Sequence, residues 1–186
     1  SYAQNTIQRA FAFIKMFCKH AQYLGVKTHH QLDGLKIARD PVVKVYLSFD
    51  DLSKIENIDQ GKLSNSLINA KDWLIISCYT GQRISDFMKF REDQIRFEDG
   101  NPLIEFTQKK TGKNMTVPLH PKVMKILDKR KGAFPYSISD QKYNNFIKTI
   151  CEIAGIDDII VGSKMAETHP GSGVFRKQTG KYKKYD

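Results

Sequence analysis

Apolar residues return at three- and four-residue steps through Ile7, Ala10, Phe11, Ile14, Phe17, Cys18, Ala21 and Leu24, which predicts one amphipathic helix over residues 5–24, closed by Gly25. Its apolar stripe needs a partner. Residues 26–39 are largely polar, carry His29-His30 and run into Asp40-Pro41, so they supply no apolar face. Residues 1–38 therefore read as a leftover helix of a preceding domain plus a linker, and a second domain occupies 39–186. Phe11 and Phe17 sit on the stripe and Phe13 off it, which reads as packing before base stacking.

In the second part, the β-branched run Pro41-Val42-Val43-Lys44-Val45-Tyr46 predicts a short strand. Ser48-Phe49-Asp50-Asp51 is a capping box, with Leu47 placed for a hydrophobic staple, and starts a helix. A helix over about 64–79 carries Leu67, Ala70, Trp73, Leu74 and Cys78. It stops at Thr80-Gly81, with glycine where a left-handed residue is wanted. Another begins near Ser85 and fades before Arg91-Glu92-Asp93. The period then changes to two. Ile95–Phe97, Leu103–Phe106 and Met115–Val117, separated by turns at 98–102 and 109–114, predict a three-stranded antiparallel meander. Pro121 opens a helix to about Arg130 with His120 as its cap, and Ser139 caps a further one ending at Ala154-Gly155. After Val161 the periodicity stops, and four glycines, one proline and six basic residues in the last 25 predict a mobile loop or a strand-poor excursion. The fold class is α+β, mainly helical, with one small three-stranded sheet.

Composition adds bounds. With 40% hydrophobic and 27% charged residues in 186, the chain is apolar enough to fold as a globular protein. No apolar run approaches the ~20 residues needed to span a bilayer, and no charged-then-apolar leader opens the sequence, so a cytoplasmic, non-membrane protein is expected. Cys18, Cys78 and Cys151 are widely spaced and lie within apolar helical patterns, which predicts reduced core thiols and neither disulfides nor a zinc site.

Charge changes the picture more. The net +10 and pI near 9.4 point to a polyanionic partner. The excess is grouped: +5 over residues 1–48, +6 over 105–131 and +4 over 162–186, with acidic stretches of −3 and −2 between them. Three separated blocks describe a patterned surface better than uniform solubilising charge.

The most informative residues are Thr80-Gly81-Gln82-Arg83-Ile84-Ser85-Asp86, an arginine at a helix–glycine–helix junction. About 25 residues later comes a lysine-tipped turn, Lys109-Lys110-Thr111-Gly112-Lys113, before Val117-Pro118-Leu119. An arginine there can present its planar fork to a phosphate, and Asp86 is placed to brace it. The plain alternatives are an Arg83–Asp86 surface pair and solvated turn lysines.

On these residues the chain resembles the tyrosine recombinases, the phage-type integrases, especially those of Bacteroides mobile elements. Thr80 to Asp86 satisfy the family's T-G-x-R-x-S-D/E box, and the family's catalytic lysine lies on a hairpin turn before a V/I-P-L segment. The resemblance implies that residues 1–38 hold the last helix of a core-binding domain and that 39–186 are the N-terminal part of a catalytic domain. It implies Arg83 as the first catalytic arginine and Lys110 as the general-acid lysine, with Lys109 the competing assignment. Lys109, Lys113, Arg176 and Lys177 would contact DNA. The implied reaction is site-specific recombination and integration through a 3′-phosphotyrosine link. It uses no metal, no cofactor and no small-molecule substrate; the partners are duplex DNA and sister protomers, tetrameric in the family's synapse.

The chain also departs from the family. No His-x-x-Arg occurs: His169 is followed by Arg176 at a spacing of seven. Tyr182 and Tyr185 precede the place where the missing boxes belong, so neither is taken as the nucleophile. The expectation is a chain cut just short of the His-x-x-Arg box and inactive by itself. His29-His30 lacks further metal ligands and reads as surface. Gly171-Ser172-Gly173 is too short for a phosphate-binding loop. A noncatalytic DNA-binding module is the runner-up, and an RNA-binding protein a weaker third, for want of an aromatic-studded strand.

Overall fold

In a computed structural model, residues 4–39, 41 and 44–185 are described, and they divide into two compact units, 1–44 and 45–186. In the first, helix α1 spans Gln4–Tyr23. The segment after it runs back along the helix on polar bonds. Lys15 Nζ donates to the carbonyls of Asp33 (3.0 Å) and Leu35 (3.1 Å), Lys19 pairs with Asp33, and Arg39 Nε donates to Gln8 Oε1. None of α1's residues is buried: Phe17 is 66% exposed and Ile14 59%, so the predicted stripe exists but packs no core within the unit.

In the second unit, α2 (Phe49–Glu56) starts at the predicted capping box. The Asp51 N–H donates to Ser48 Oγ, and the Ser48 N–H donates to Asp51 Oδ2. The described residues of the run 41–46 form no strand. Leu47 packs against the core cluster that contains Ile55 of this helix. Helix α3 (Asn65–Thr80) ends on Gly81 at φ 65°, a left-handed cap that costs glycine least. A four-residue α4 (Ile84–Phe87) follows.

Strands β1 (Ile95–Glu98), β2 (Asn101–Thr107) and β3 (Asn114–Pro118) form the predicted antiparallel sheet in the order β1-β2-β3, with Ile104 opposite Ile95 and Val117. Asp99 and Gly100, both at positive φ, make the two-residue β1–β2 turn. Helices α5 (Pro121–Lys129) and α6 (Asp140–Ile153) begin at His120 and Ser139 as expected.

Helix α3 separates two apolar clusters. On one side Trp73 and Ile76 meet Phe87, Phe90, Ile104, Phe106, Val123 and Leu127; on the other, Ala70 and Leu74 meet Ile55, Ile150, Cys151 and Ile156. The helix is therefore buried nearly all round, not along one stripe, which is why Ile75 and Ile76 are inside. Fully buried Asn69 pins the 131–139 loop. Its Nδ2 donates to the Tyr136 carbonyl at 2.8 Å, its Oδ1 accepts the Tyr136 N–H at 3.0 Å, and the Trp73 indole N–H shares that carbonyl.

Two further expectations fail. The last 25 residues are not a loop: β4 (Ile159–Glu167) and β5 (Phe175–Lys183) pair antiparallel over nine residues each as a separate two-stranded sheet. Neither strand buries a residue, so no inside–outside alternation marks them in the sequence. The turn is held by Glu167, whose carboxylate accepts the N–H groups of Gly173 (2.7 Å) and Gly171 (3.2 Å). The cysteines also differ from a set of core thiols. All three are free, but only Cys151 is buried, while Cys78 is exposed. Burial, with the nearby Asp51 and Cys78 charges, pushes the Cys151 thiol up to about 11, which makes it unreactive.

Candidate functional site

Arg83 is the N-cap residue of α4, in extended backbone conformation and exposed. The left-handed turn at Gly81 directs the chain away from α3, so the guanidinium is free of that helix. Arg39, Arg91, Arg96 and Arg130 each hold an acidic or amide partner. Among the described residues the Arg83 guanidinium has none. Its donors are therefore unused among the described residues.

Asp86 does not brace Arg83. It is buried, and its Oδ1 accepts the backbone N–H of Lys109 at 2.9 Å, while Oδ2 has no partner among the described residues. Arg83 is the extended N-cap outside the helix and stays exposed, while Asp86 within it turns inward and reaches the β2–β3 turn. A second link runs beside it: Gln108 Nε2 donates to Gln82 Oε1 at 3.3 Å, and Gln82 Nε2 to the Thr80 carbonyl at 2.9 Å. Within the turn the Gln108 N–H bonds the Lys113 carbonyl, the Gly112 N–H bonds the Gln108 carbonyl, and Thr111 Oγ1 donates to Gln108 Oε1. The arginine segment and the lysine turn, far apart in sequence, are thus fastened side by side. Lys109, Lys110 and Lys113 are all exposed on that turn, with ammonium groups that have no partner among the described residues.

Arg176 and Lys177 lie elsewhere, on β5. Being adjacent in a strand, they point to opposite faces of the hairpin. The two late tyrosines have structural work. Tyr182 lies over the facing pair Gly162 and Gly180, its hydroxyl donates to the Gln178 carbonyl at 2.9 Å, and Lys164 sits over its ring. Tyr185 packs against the second core cluster, and its hydroxyl accepts from Lys183 Nζ. His120 Nδ1 accepts the Lys122 N–H, and its ring stacks on Tyr79 at 4.3 Å.

Sequence reasoning missed Gln82 and Gln108. An amide on each side of two matched segments is the only available signal, and it becomes readable once the turn is known to dock there. It also missed the anchor of the second hairpin, where Lys184 Nζ bonds Asp51 Oδ2. Burial alone would raise the Asp51 pKa, but the Lys184 ammonium and the Ser48 N–H and hydroxyl hold it down at about 2. Among the described residues no three His, Cys, Asp or Glu side chains gather as metal ligands, and no helix is long and apolar enough to cross a membrane.

No protein-family profile and no curated protein sequence matches this chain. Its fold does match solved structures. Lambda integrase (residues 75–356) bound to DNA aligns with a TM-score of 0.56 at 17% identity, covering 83% of this chain and 59% of that one. A lambda integrase tetramer bound to a Holliday junction aligns at 0.52 with 20% identity, covering 81% and 48%. XerH site-specific recombinase bound to difH in a pre-cleavage complex aligns at 0.50 with 16% identity, covering 67% and 41%. At such identities the likeness is one of fold, and the chain spans about three fifths or less of each of these proteins. The mixed fold of this chain, mainly helical with a three-stranded antiparallel sheet, is thus similar to the fold of these solved structures.

Proposed function

We propose that this chain belongs to a tyrosine recombinase that breaks and rejoins duplex DNA in site-specific recombination or integration. The observation that carries the reading is the unpartnered Arg83 fastened beside the lysine turn through Asp86–Lys109 and Gln82–Gln108. Phosphoryl transfer needs cationic donors on the nonbridging oxygens as charge develops, and a proton for the departing 5′-oxygen. Arg83 supplies the first and Lys110 the second. Lys109 is less suited, because its backbone is tied to Asp86 and fixes the start of the turn, while Lys110 stands at its tip. Lys109, Lys113 and the hairpin cations Arg176 and Lys177 neutralise backbone phosphates. The DNA-bound assemblies of the lambda integrase and XerH structures support a duplex partner and an oligomer on DNA.

Residues 1–186 contain no His-x-x-Arg, and the reading assigns none of their tyrosines as the nucleophile. The test uses a form of the protein that cleaves DNA and a DNA substrate carrying sulfur at the 5′-bridging position. A thiolate leaves without protonation. Lys110→Ala should therefore cleave the sulfur substrate far better, relative to wild type, than the ordinary one; equal impairment on both would move the acid elsewhere. Salt-steep DNA binding with no cleavage by any form of the protein would favour a noncatalytic module instead.

A further inference from the structure

Between the end of α2, α3 and α5 lies a cavity of about 230 Å³ whose charged lining is Glu56, Lys71, Asp72, Lys129 and Arg130. Both acids are engaged. Lys122 Nζ donates to Glu56 Oε1 at 2.8 Å, and Arg130 Nε to Asp72 Oδ2 at 2.8 Å. The two remaining lysines are not engaged in this way. Lys71 is 5% exposed, yet its ammonium makes one hydrogen bond, to the Glu56 carbonyl at a long 3.3 Å, with three protons to place. Exposed Lys129 has no hydrogen-bond or ion-pair partner among the described residues. Gln60 and isoleucines 68, 75 and 126 line the rest of the cavity. The Lys71 pKa lies below its ordinary value, first because of burial, and the Lys129 charge adds to the depression against the pull of Asp72 and Glu56.

A buried cation with unfilled donors beside a second, like charge is costly unless an anion joins them. We infer that this cavity binds a small tetrahedral dianion, inorganic phosphate or sulfate, between Lys71 and Lys129. Counted with Lys122, four cations stand against the two acids, and the excess of two positive charges matches two negative ones. A DNA backbone phosphate offers a single charge and carries a sugar on either side, so the free ion suits the cavity better. The site shares no residue with the Arg83 site.

The 1–186 chain is melted in about 10 mM potassium phosphate and in potassium chloride of equal ionic strength, since a ligand of the folded state raises the melting temperature. Phosphate should give a rise of several degrees that chloride does not. Lys129→Gln should weaken phosphate binding about tenfold or more and abolish most of the rise, as should Lys71→Met. Broadening of the phosphorus-31 resonance by the wild-type chain should vanish with Lys129→Gln. Arg83→Ala should keep the full effect, which separates this inference from the DNA reading. Equal melting in the two salts, an undiminished rise in Lys129→Gln, or a Lys129-dependent rise given by duplex DNA alone would each overturn it.

Discussion

Two basic hairpins occupy this molecule, and they are built differently. The β2–β3 hairpin buries Ile104 and Phe106 in the core, and its lysine turn is hydrogen-bonded to Asp86 and Gln82. The β4–β5 hairpin buries no strand residue, leaves Ile159, Val161, Met165 and Phe175 all more than half exposed, and is held at its base by Lys184 and Tyr185. Two strands without a packed face are marginal by themselves. Both are net positive, and anchoring is what sets them apart. On the proposed function this difference matters, since a general acid must be held within tenths of an ångström of its target, whereas a phosphate contact tolerates a less tightly packed ribbon.

The largest expected effect breaks the comparison at the anchored turn. Lys110→Ala, in the protein with its nucleophile, should slow strand cleavage by roughly 10²–10⁴-fold while DNA affinity stays nearly unchanged, measured by single-turnover cleavage and by anisotropy. Arg176→Ala should do the reverse. Should Arg176→Ala cost as much cleavage as Lys110→Ala, the distinction fails.

Next is the base of the second hairpin. Asp51 stays ionised in the folded protein down to about pH 2 but protonates near 3.8 once unfolded. As pH falls from about 4 towards 2 the unfolded chain takes up the proton first, so stability drops, by about 2 kcal/mol from this group. Urea titrations across that window should show the loss, and Lys184→Met should shrink it by raising the Asp51 pKa in the folded state. An unchanged profile in Lys184→Met would mean that the ion pair does not anchor the hairpin.

Asp86→Ala leaves the Lys109 N–H without its acceptor and should cost about 1–3 kcal/mol in chemical denaturation. Cleavage should fall further than in a surface variant of equal stability, because the lysine turn loses its seat. The smallest effect belongs to the ribbon cations. Each of Arg176→Ala and Lys177→Ala should lower the magnitude of the salt dependence of DNA affinity by about one phosphate contact, a log–log slope change near 0.9, with no change in melting temperature. If both variants keep the wild-type slope, the free hairpin lies off the DNA.

The legible parts of this fold were those with local signals. Ser48, Gly81, Pro121 and Ser139 announce helix ends because capping is chemistry among residues three or four apart. The three-stranded sheet was readable because Ile104 and Phe106 alternate with exposed neighbours on a half-buried strand. The β4–β5 hairpin was not, since alternation arises only when one face is covered. In the site, Arg83 and the lysine turn were named from sequence, but the partner of Asp86 was misread. A carboxylate three residues from an arginine invites a local pair, and only the packed helix shows it turned inward to a backbone N–H 23 residues away.

The sequence by itself determined where helices start and stop, the meander and the grouped positive charge. The tertiary structure decided which charges remain free and which are spent: Asp86 on Lys109, Asp51 on Lys184, Asp72 on Arg130, with Arg83 left open. Local signals act within a turn of chain, and any acid can pair with any base. Which one it meets depends on how the buried faces of α3 and β2 bring distant segments together, and that is a property of packing.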